Sequence, residues 1–287
     1  MSGTLDLSKL PTLESQGKDR LKMLLHGDPG TGKTTLATSI AELGPTLYID
    51  LPGEYGSVAI PESLRPAISV YKPRSVDEWN DVFWQLQTGK HEFQAVVVES
   101  LSALQGLYSR HVQGIPEGGP RKAARSTKRM DQRQLGGAVG EYLKDELVFW
   151  MGLADATAER PVHVVMTSQS RYREVRKKTE DPNALGELLY TFIGPDVFPG
   201  IANAAEATPD YIGYCFLEPS EGDLTELVEI GQEQEPEWRY CVRFGPHALV
   251  RTKKREDVER AKKWPDVVGR DGKRLTLPKF MRYLGIA

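Results

Sequence analysis

The chain has 287 residues, of which 27% are charged and 39% hydrophobic, and its formal net charge is −3, with a mean hydropathy of −0.43. No apolar run approaches the roughly 18 residues needed to span a bilayer, and the first twenty residues lack the apolar centre of an export signal. These features exclude a membrane-spanning or exported chain and predict a cytoplasmic one, in which Cys215 and Cys241, each inside an apolar run, are buried thiols of a reducing compartment.

Taken in order, residues 1–20 are polar, contain Pro11 and show no period, which predicts a flexible arm. Leu21 to His26 reads as a buried strand. It runs into Gly27, Asp28, Pro29, Gly30, Thr31, Gly32, Lys33, Thr34 and Thr35, which fit G-x-x-x-x-G-K-[ST] between a strand and a helix. Such a loop turns backbone N–H groups onto phosphate oxygens, its lysine reaches the β- and γ-phosphates, and Thr34 offers a hydroxyl to Mg²⁺. ATP and Mg²⁺ are therefore the expected ligands. The helix from Thr34 to Leu43 ends at Gly44-Pro45. Thr46 to Leu51 is a second strand, followed by a Gly-rich turn with Glu54. A carboxylate beyond the strand next to a P-loop can orient the attacking water, so Glu54 is the candidate, with Asp50 as the alternative.

Ile68 to Tyr71 predicts a strand and Ser75 to Gln87 an amphipathic helix. Ala95 to Leu104 reads as a continuous apolar stretch whose strand ends in Glu99, the acid expected to hold Mg²⁺ with Thr34. Leu107 to Gly137 is predicted to be a long loop rich in cations, namely Arg121, Lys122, Arg125, Lys128, Arg129 and Arg133. A helix resumes over Tyr142 to Leu153, and Val162 to Met166 is the next strand. It ends in Thr167-Ser168-Gln169-Ser170, where Gln169 could sense a γ-phosphate, and a second basic loop follows with Arg171, Arg173, Arg176, Lys177 and Lys178. From Ile201 to Glu237 there are acids and no Lys or Arg. Strands are predicted over Tyr211 to Leu217, Trp238 to Phe244 and Ala248 to Thr252, the last two as a hairpin. Residues 257–287 read as a docking tail after Lys253-Lys254-Arg255.

The set G-D-P-G-T-G-K-T-T, I-D-L-P-G-E, V-V-V-E-S-L-S-A-L, V-V-M-T-S-Q and T-K-K-R resembles the RecA/DnaB-type ATPase core across residues 20 to 256. More narrowly it is similar to phage-encoded RecA-like ATPases of the AAA type, which include single-strand annealing recombinases. The resemblance implies an α/β fold: a RecA-like P-loop NTPase core at 21–256, with a mostly parallel sheet, helices on both faces and a late antiparallel hairpin. It implies that the two basic stretches bind single-stranded DNA. It further implies that Lys253 and Arg255 reach the γ-phosphate of a neighbouring subunit, in a homo-oligomeric ring such as a hexamer. Glu99 departs from the usual Asp of that family, and Pro52-Gly53 separate Glu54 from its usual place. The expected activity is ATP hydrolysis in phage-type recombination or replication inside a bacterial host, by annealing or mediation or as a DnaB-like helicase. A small-molecule kinase and a structure-specific nuclease, drawing on Asp131, Asp145 and Glu146, are the readings from other classes.

Overall fold

The computed structural model describes residues 20–115, 132–155, 157–177, 187–219, 238–255, 267–269 and 275–284. Strands β1 (Lys22–Gly27), β2 (Thr46–Asp50) and β4 (Ala95–Glu99) are buried at almost every position, so alternate side chains are apolar on both faces and both faces must be covered. The coverage follows. On one face helices α2 (Val76–Gln87), α3 (Leu101–Val112), α4 (Gln132–Gly152) and α5 (Pro199–Ala207) bury Trp79, Leu104, Leu143, Trp150 and Ile201 against Leu24, Ile49, Val96 and Val164. On the other, Leu36 of α1 (Lys33–Thr38) and Ile40 of the following 3₁₀ turn pack with Met23, Leu25, Val97 and Val165.

The sheet has β3 (Ile68–Tyr71), β2, β4, β5 (His163–Arg176), β1 and β7 (Tyr211–Pro219) side by side and all parallel. Beyond β7 the sheet turns antiparallel, through β8 (Trp238–Arg243) and β10 (Val267–Gly269), with the short β9 (Lys253–Lys254) on the start of β7. A mostly parallel α/β sheet with late antiparallel strands is thus the fold. The parallel order places β5 between the strand that enters the P-loop and the strand that ends in Glu99. Residues on these three strand ends converge on one edge of the sheet.

Several expectations are corrected. Strand β4 ends at Glu99 as expected, but the rest of the apolar run to Leu104 is helix: Ser100, extended at φ −133°, caps α3 by accepting the Ala103 N–H. The peptide between Glu99 and Ser100 is cis. Helices α3 and α4 then take both ends of the expected 107–137 loop, and Arg121, Lys122, Arg125, Lys128 and Arg129 lie outside the described residues, while Arg133 stands in the first turn of α4. The second basic stretch is not a loop. Strand β5 continues through Arg176 and pairs antiparallel with β6 (Leu188–Pro195), forming a hairpin arm from Ser170 outward. Residues 248–252 do not pair with β8, which pairs with β7 instead; Val250 makes a bridge to Ile193. Residues 1–19, expected as a flexible arm, lie outside the described residues. The described part of 257–287 docks on the chain's own core: Leu277, Phe280 and Met281 of α6 (Leu277–Leu284) are fully buried beside Phe244 and Leu36, and β10 extends the sheet. Among the described residues no helix is long and apolar enough to cross a membrane.

Candidate functional site

The P-loop leaves the sheet at Gly27, whose position admits no side chain: a Cβ there would stand 2.3 Å from the Cys215 carbonyl oxygen and 2.8 Å from Thr31 Oγ1. Gly30 and Gly32 take φ of 81° and 78°, in the left-handed region, which turns the loop back over its own amides. Thr31 fastens the turn by donating its hydroxyl to the Asp28 carbonyl at 2.8 Å. Lys33 is buried and its ammonium donates to the carbonyls of Gly27 and Asp28, at 2.7 and 2.8 Å. Burial lowers its pKa, against the pull of nearby Glu99, Glu54 and Asp28. The lysine is therefore a charge held beside the loop's mouth by weak carbonyl partners.

Opposite the loop a cleft of about 710 Å³ is lined by Gly30, Lys33, Thr34, Glu54, Glu99 and Gln169, with Pro29, Gly32 and Thr35 contributing from the loop. Three neighbouring strands supply one group each: β4 its last residue Glu99, β5 the Gln169 that faces Gly27, and the segment after β2 Glu54. Thr34 donates its hydroxyl to Glu99 Oε2 at 3.0 Å. Glu99 is 3% exposed. Burial pushes its carboxyl up to about 7, with hydrogen bonds from Thr167 and Thr34 pulling the other way and the charge of Glu54 adding to the rise. A buried carboxylate and a hydroxyl at hydrogen-bond distance are hard oxygen donors, the set that suits Mg²⁺. The residues fit that ion, which Thr34 and Glu99 would hold.

Glu54 and Asp50 are distinguished by their partners. Asp50 is buried and fully engaged: its carboxylate accepts from Gly56 N at 3.2 Å and Ser57 Oγ at 2.6 Å and pairs with Lys72 at 2.9 Å. It clasps the wall of the cleft. Glu54 lines the cleft and accepts a hydrogen bond from Ser100 Oγ at 2.5 Å. Gln169 sits level with Gly27 across the β1–β5 pair, and its side-chain Oε1 is buried without a hydrogen-bond partner. An unpaired buried acceptor on the wall of this cleft can take a hydrogen bond from a bound donor.

Sequence reasoning missed other parts of this wall. Tyr55, Gly56, Val58 and Ala59 line the cleft near Glu54, and Tyr240 of β8 lines it from another strand. Tyr55 stands at φ 52° and is 74% exposed, a non-glycine residue in the left-handed region. Beneath Gly56, a Cβ would meet Tyr48 Oη at 2.3 Å and Glu99 Cγ at 2.8 Å, and Tyr48 Oη is itself buried without a partner. The glycine in I-D-L-P-G-E-Y-G was the available signal. His26, fully buried just before the loop, is held between Ser170 Oγ at 3.0 Å and the Arg251 carbonyl at 2.7 Å, so its Nε2 carries the proton.

The expected basic residues divide by environment. Arg171 stands on the hairpin with a largely exposed side chain, 3.7 Å from Asp196. Arg176 pairs with Glu174 at 2.7 Å, and Lys177 is exposed. Arg173 is not presented to a ligand: its NH2 donates to the carbonyls of Pro195 and Val197, both at 2.9 Å, fixing the root of the arm. Lys178 lies outside the described residues. Tyr172, Leu189 and Tyr190 are exposed on the same arm. Lys253 and Arg255 are brought together, but away from their own chain's P-loop: Lys254 is opposite Tyr211, which is level with Met23, whereas the loop leaves from Gly27. All three Lys253 protons go to the carbonyls of Glu206, Ala207 and Pro209, at 3.1, 2.6 and 2.6 Å, capping α5. Arg255 donates to Asp210 Oδ1 at 2.6 Å and to the Ala207 carbonyl at 3.1 Å. Asp131 lies outside the described residues, and Glu146, a candidate acid of the nuclease reading, accepts from both Trp79 and Trp150 indoles at 2.9 and 3.1 Å. Among the described residues no group of three His, Cys, Asp or Glu could hold a metal ion.

No curated protein matches the chain. Residues 19–256 match the family model of the AAA domain, a span that begins one residue before the described β1 region and includes the P-loop, Glu54, Glu99, Gln169 and Arg255. With that match laid over a cleft lined by the P-loop, Glu99 and Gln169, the chain belongs to the AAA domain family of nucleotide-hydrolysing P-loop proteins.

Proposed function

We propose that this chain is an oligomeric, single-stranded-DNA-binding, RecA-like ATPase of phage-type recombination or replication, acting in strand annealing or as a recombination mediator. The observation that carries the reading is β5. One continuous strand holds Gln169 in the nucleotide cleft and, from the next residue on, becomes an arm bearing Arg171, Arg176 and Lys177 among exposed Tyr172 and Tyr190. Cations interleaved with aromatic faces suit a flexible polyanion with stackable bases.

In this reading ATP enters the cleft, and Lys33 exchanges the Gly27 and Asp28 carbonyls for phosphate oxygens. Mg²⁺ held by Thr34 and Glu99 would neutralise charge on the β- and γ-phosphates. Glu54 orients water for in-line attack, and that water can donate to the Gln169 Oε1, which has no partner of its own. Arg255 of a neighbouring subunit supplies charge to the transition state, a role worth on the order of 10³-fold in related NTPases. Lys253, committed to the end of α5, holds the segment that presents it.

The test is ATP hydrolysis by the full chain without DNA, with single strands and with duplex, at low and moderate salt. Stimulation by single strands that fades with salt is expected, and Lys33→Ala should abolish turnover. Arg171→Gln should flatten the dependence of binding on salt, lowering the slope of log K against log salt by about 0.7, whereas Arg173→Gln leaves that slope unchanged. Absence of stimulation would detach the arm from the ATP cycle. Strand displacement on a forked duplex would move the reading to a DnaB-like helicase.

A further inference from the structure

Ser100 lies at the junction of β4 and α3 and is 1% exposed. Its hydroxyl oxygen accepts the Ala103 N–H at 3.2 Å, and its hydroxyl proton goes to Glu54 Oε1 at 2.5 Å. The two residues are distant in sequence. Glu54 arrives on the segment after β2, whose course is set by the Leu51 N–H on the Glu99 carbonyl at 2.8 Å and by the Asp50 clasp. A helix cap would need only the acceptor function of Ser100; the donor function serves Glu54.

We propose that Ser100 is a positioning residue for hydrolysis: it holds Glu54 at the edge of the cleft and hands it the positive end of α3. A hydroxyl that accepts from a helix N–H is polarised and donates more strongly. Helix α3 has 12 residues, so its first turn carries the partial positive charge of the dipole. The Ser100 bond fixes one carboxylate oxygen of Glu54 at the cleft edge and leaves the other free to face the attacking water. The same turn steadies the opposite wall, because Ser102 Oγ accepts the Gln169 N–H at 3.1 Å.

The inference rests on Glu54 orienting water, and its test separates the two. Ser100→Ala removes cap and donor together, whereas Ser100→Gly removes the donor at little capping cost. Ser100→Thr restores both. Steady-state hydrolysis by the full chain should show kcat reduced about tenfold or more in the Ala and Gly variants, the scale of one charge-assisted hydrogen bond, with KM for ATP within about twofold and the Thr variant near wild type. The Gly variant should melt close to wild type. Wild-type kcat in Ser100→Gly overturns the positioning role. Glu54→Gln is measured alongside: its full retention of kcat would instead overturn the role of Glu54.

Discussion

Acid stability offers a direct test of how the sheet is built, through His163. Its imidazole is 2% exposed at the start of β5. Nδ1 accepts the Leu21 N–H at 2.9 Å, and the Arg20 guanidinium stands 3.2 Å from Nε2. Protonation would set an N–H against the Leu21 N–H and a cation against Arg20. Burial chiefly, and Arg20 next, accordingly lower the pKa from 6.5 to about 4. A depressed folded pKa means that this stability is present above pH 6.5 and is lost as pH falls toward 4. The full difference is worth about 3 kcal/mol, of which about 2 kcal/mol is lost between pH 7 and pH 5. His26, lowered to about 4 mainly by burial, adds a loss of similar size over the same window. His163→Asn keeps an acceptor for the Leu21 N–H and cannot titrate. Urea unfolding at pH 7 and pH 5 should therefore show the variant losing about 2 kcal/mol less than wild type, or several degrees in Tm. Equal losses in the two proteins would refute the assignment of a neutral, accepting His163.

Gly56→Ala would drive a methyl toward Tyr48 Oη and Glu99 Cγ, and the loop carrying Glu54 must yield; a fall in kcat of about tenfold or more is expected, partly restored when Tyr48→Phe removes the hydroxyl from that space. Tyr48→Phe alone should leave stability unchanged or raise it, because its hydroxyl is buried without a partner. Lys253→Met should cost about 2 kcal/mol or more in urea unfolding by leaving the carbonyls at the end of α5 uncapped, and a variant as stable as wild type would show that the cap contributes nothing.

The nucleotide cleft was legible because its chemistry is local: a loop that must wrap phosphate has to place glycines, lysine and threonine at fixed offsets, Glu99 ends an apolar strand, and Gln169 follows an apolar run. Side chains whose meaning lies in a distant partner were not. Asp50 and Glu54 are equivalent on paper, and only the Gly56, Ser57 and Lys72 contacts make the first a clasp. Lys253 entered as half of a K-x-R pair through the family resemblance, and its bonds to the end of α5 were illegible because that helix went unread, although Pro199 at its first position was a start signal. The arm was taken for a loop because an exposed strand has no buried face to impose a period on its composition, and its partner β6 lies across residues 178–186. In the terminal helix, Leu277, Phe280 and Met281 carry helical spacing, yet their place in the core depends on Phe244 and Leu36, far away in the chain.

The continuity of β5 has a mechanical meaning. From Gln169 to Arg176 the backbone is one extended span of roughly 23 Å, cross-braced by β6 and pinned at its root by the Arg173 guanidinium. Its ladder is regular until the register shifts between Val175 and Arg176. Such a beam has its compliance at the outer end. The arm therefore leaves the cleft on a single fixed course, and its first irregularity falls far from Gln169.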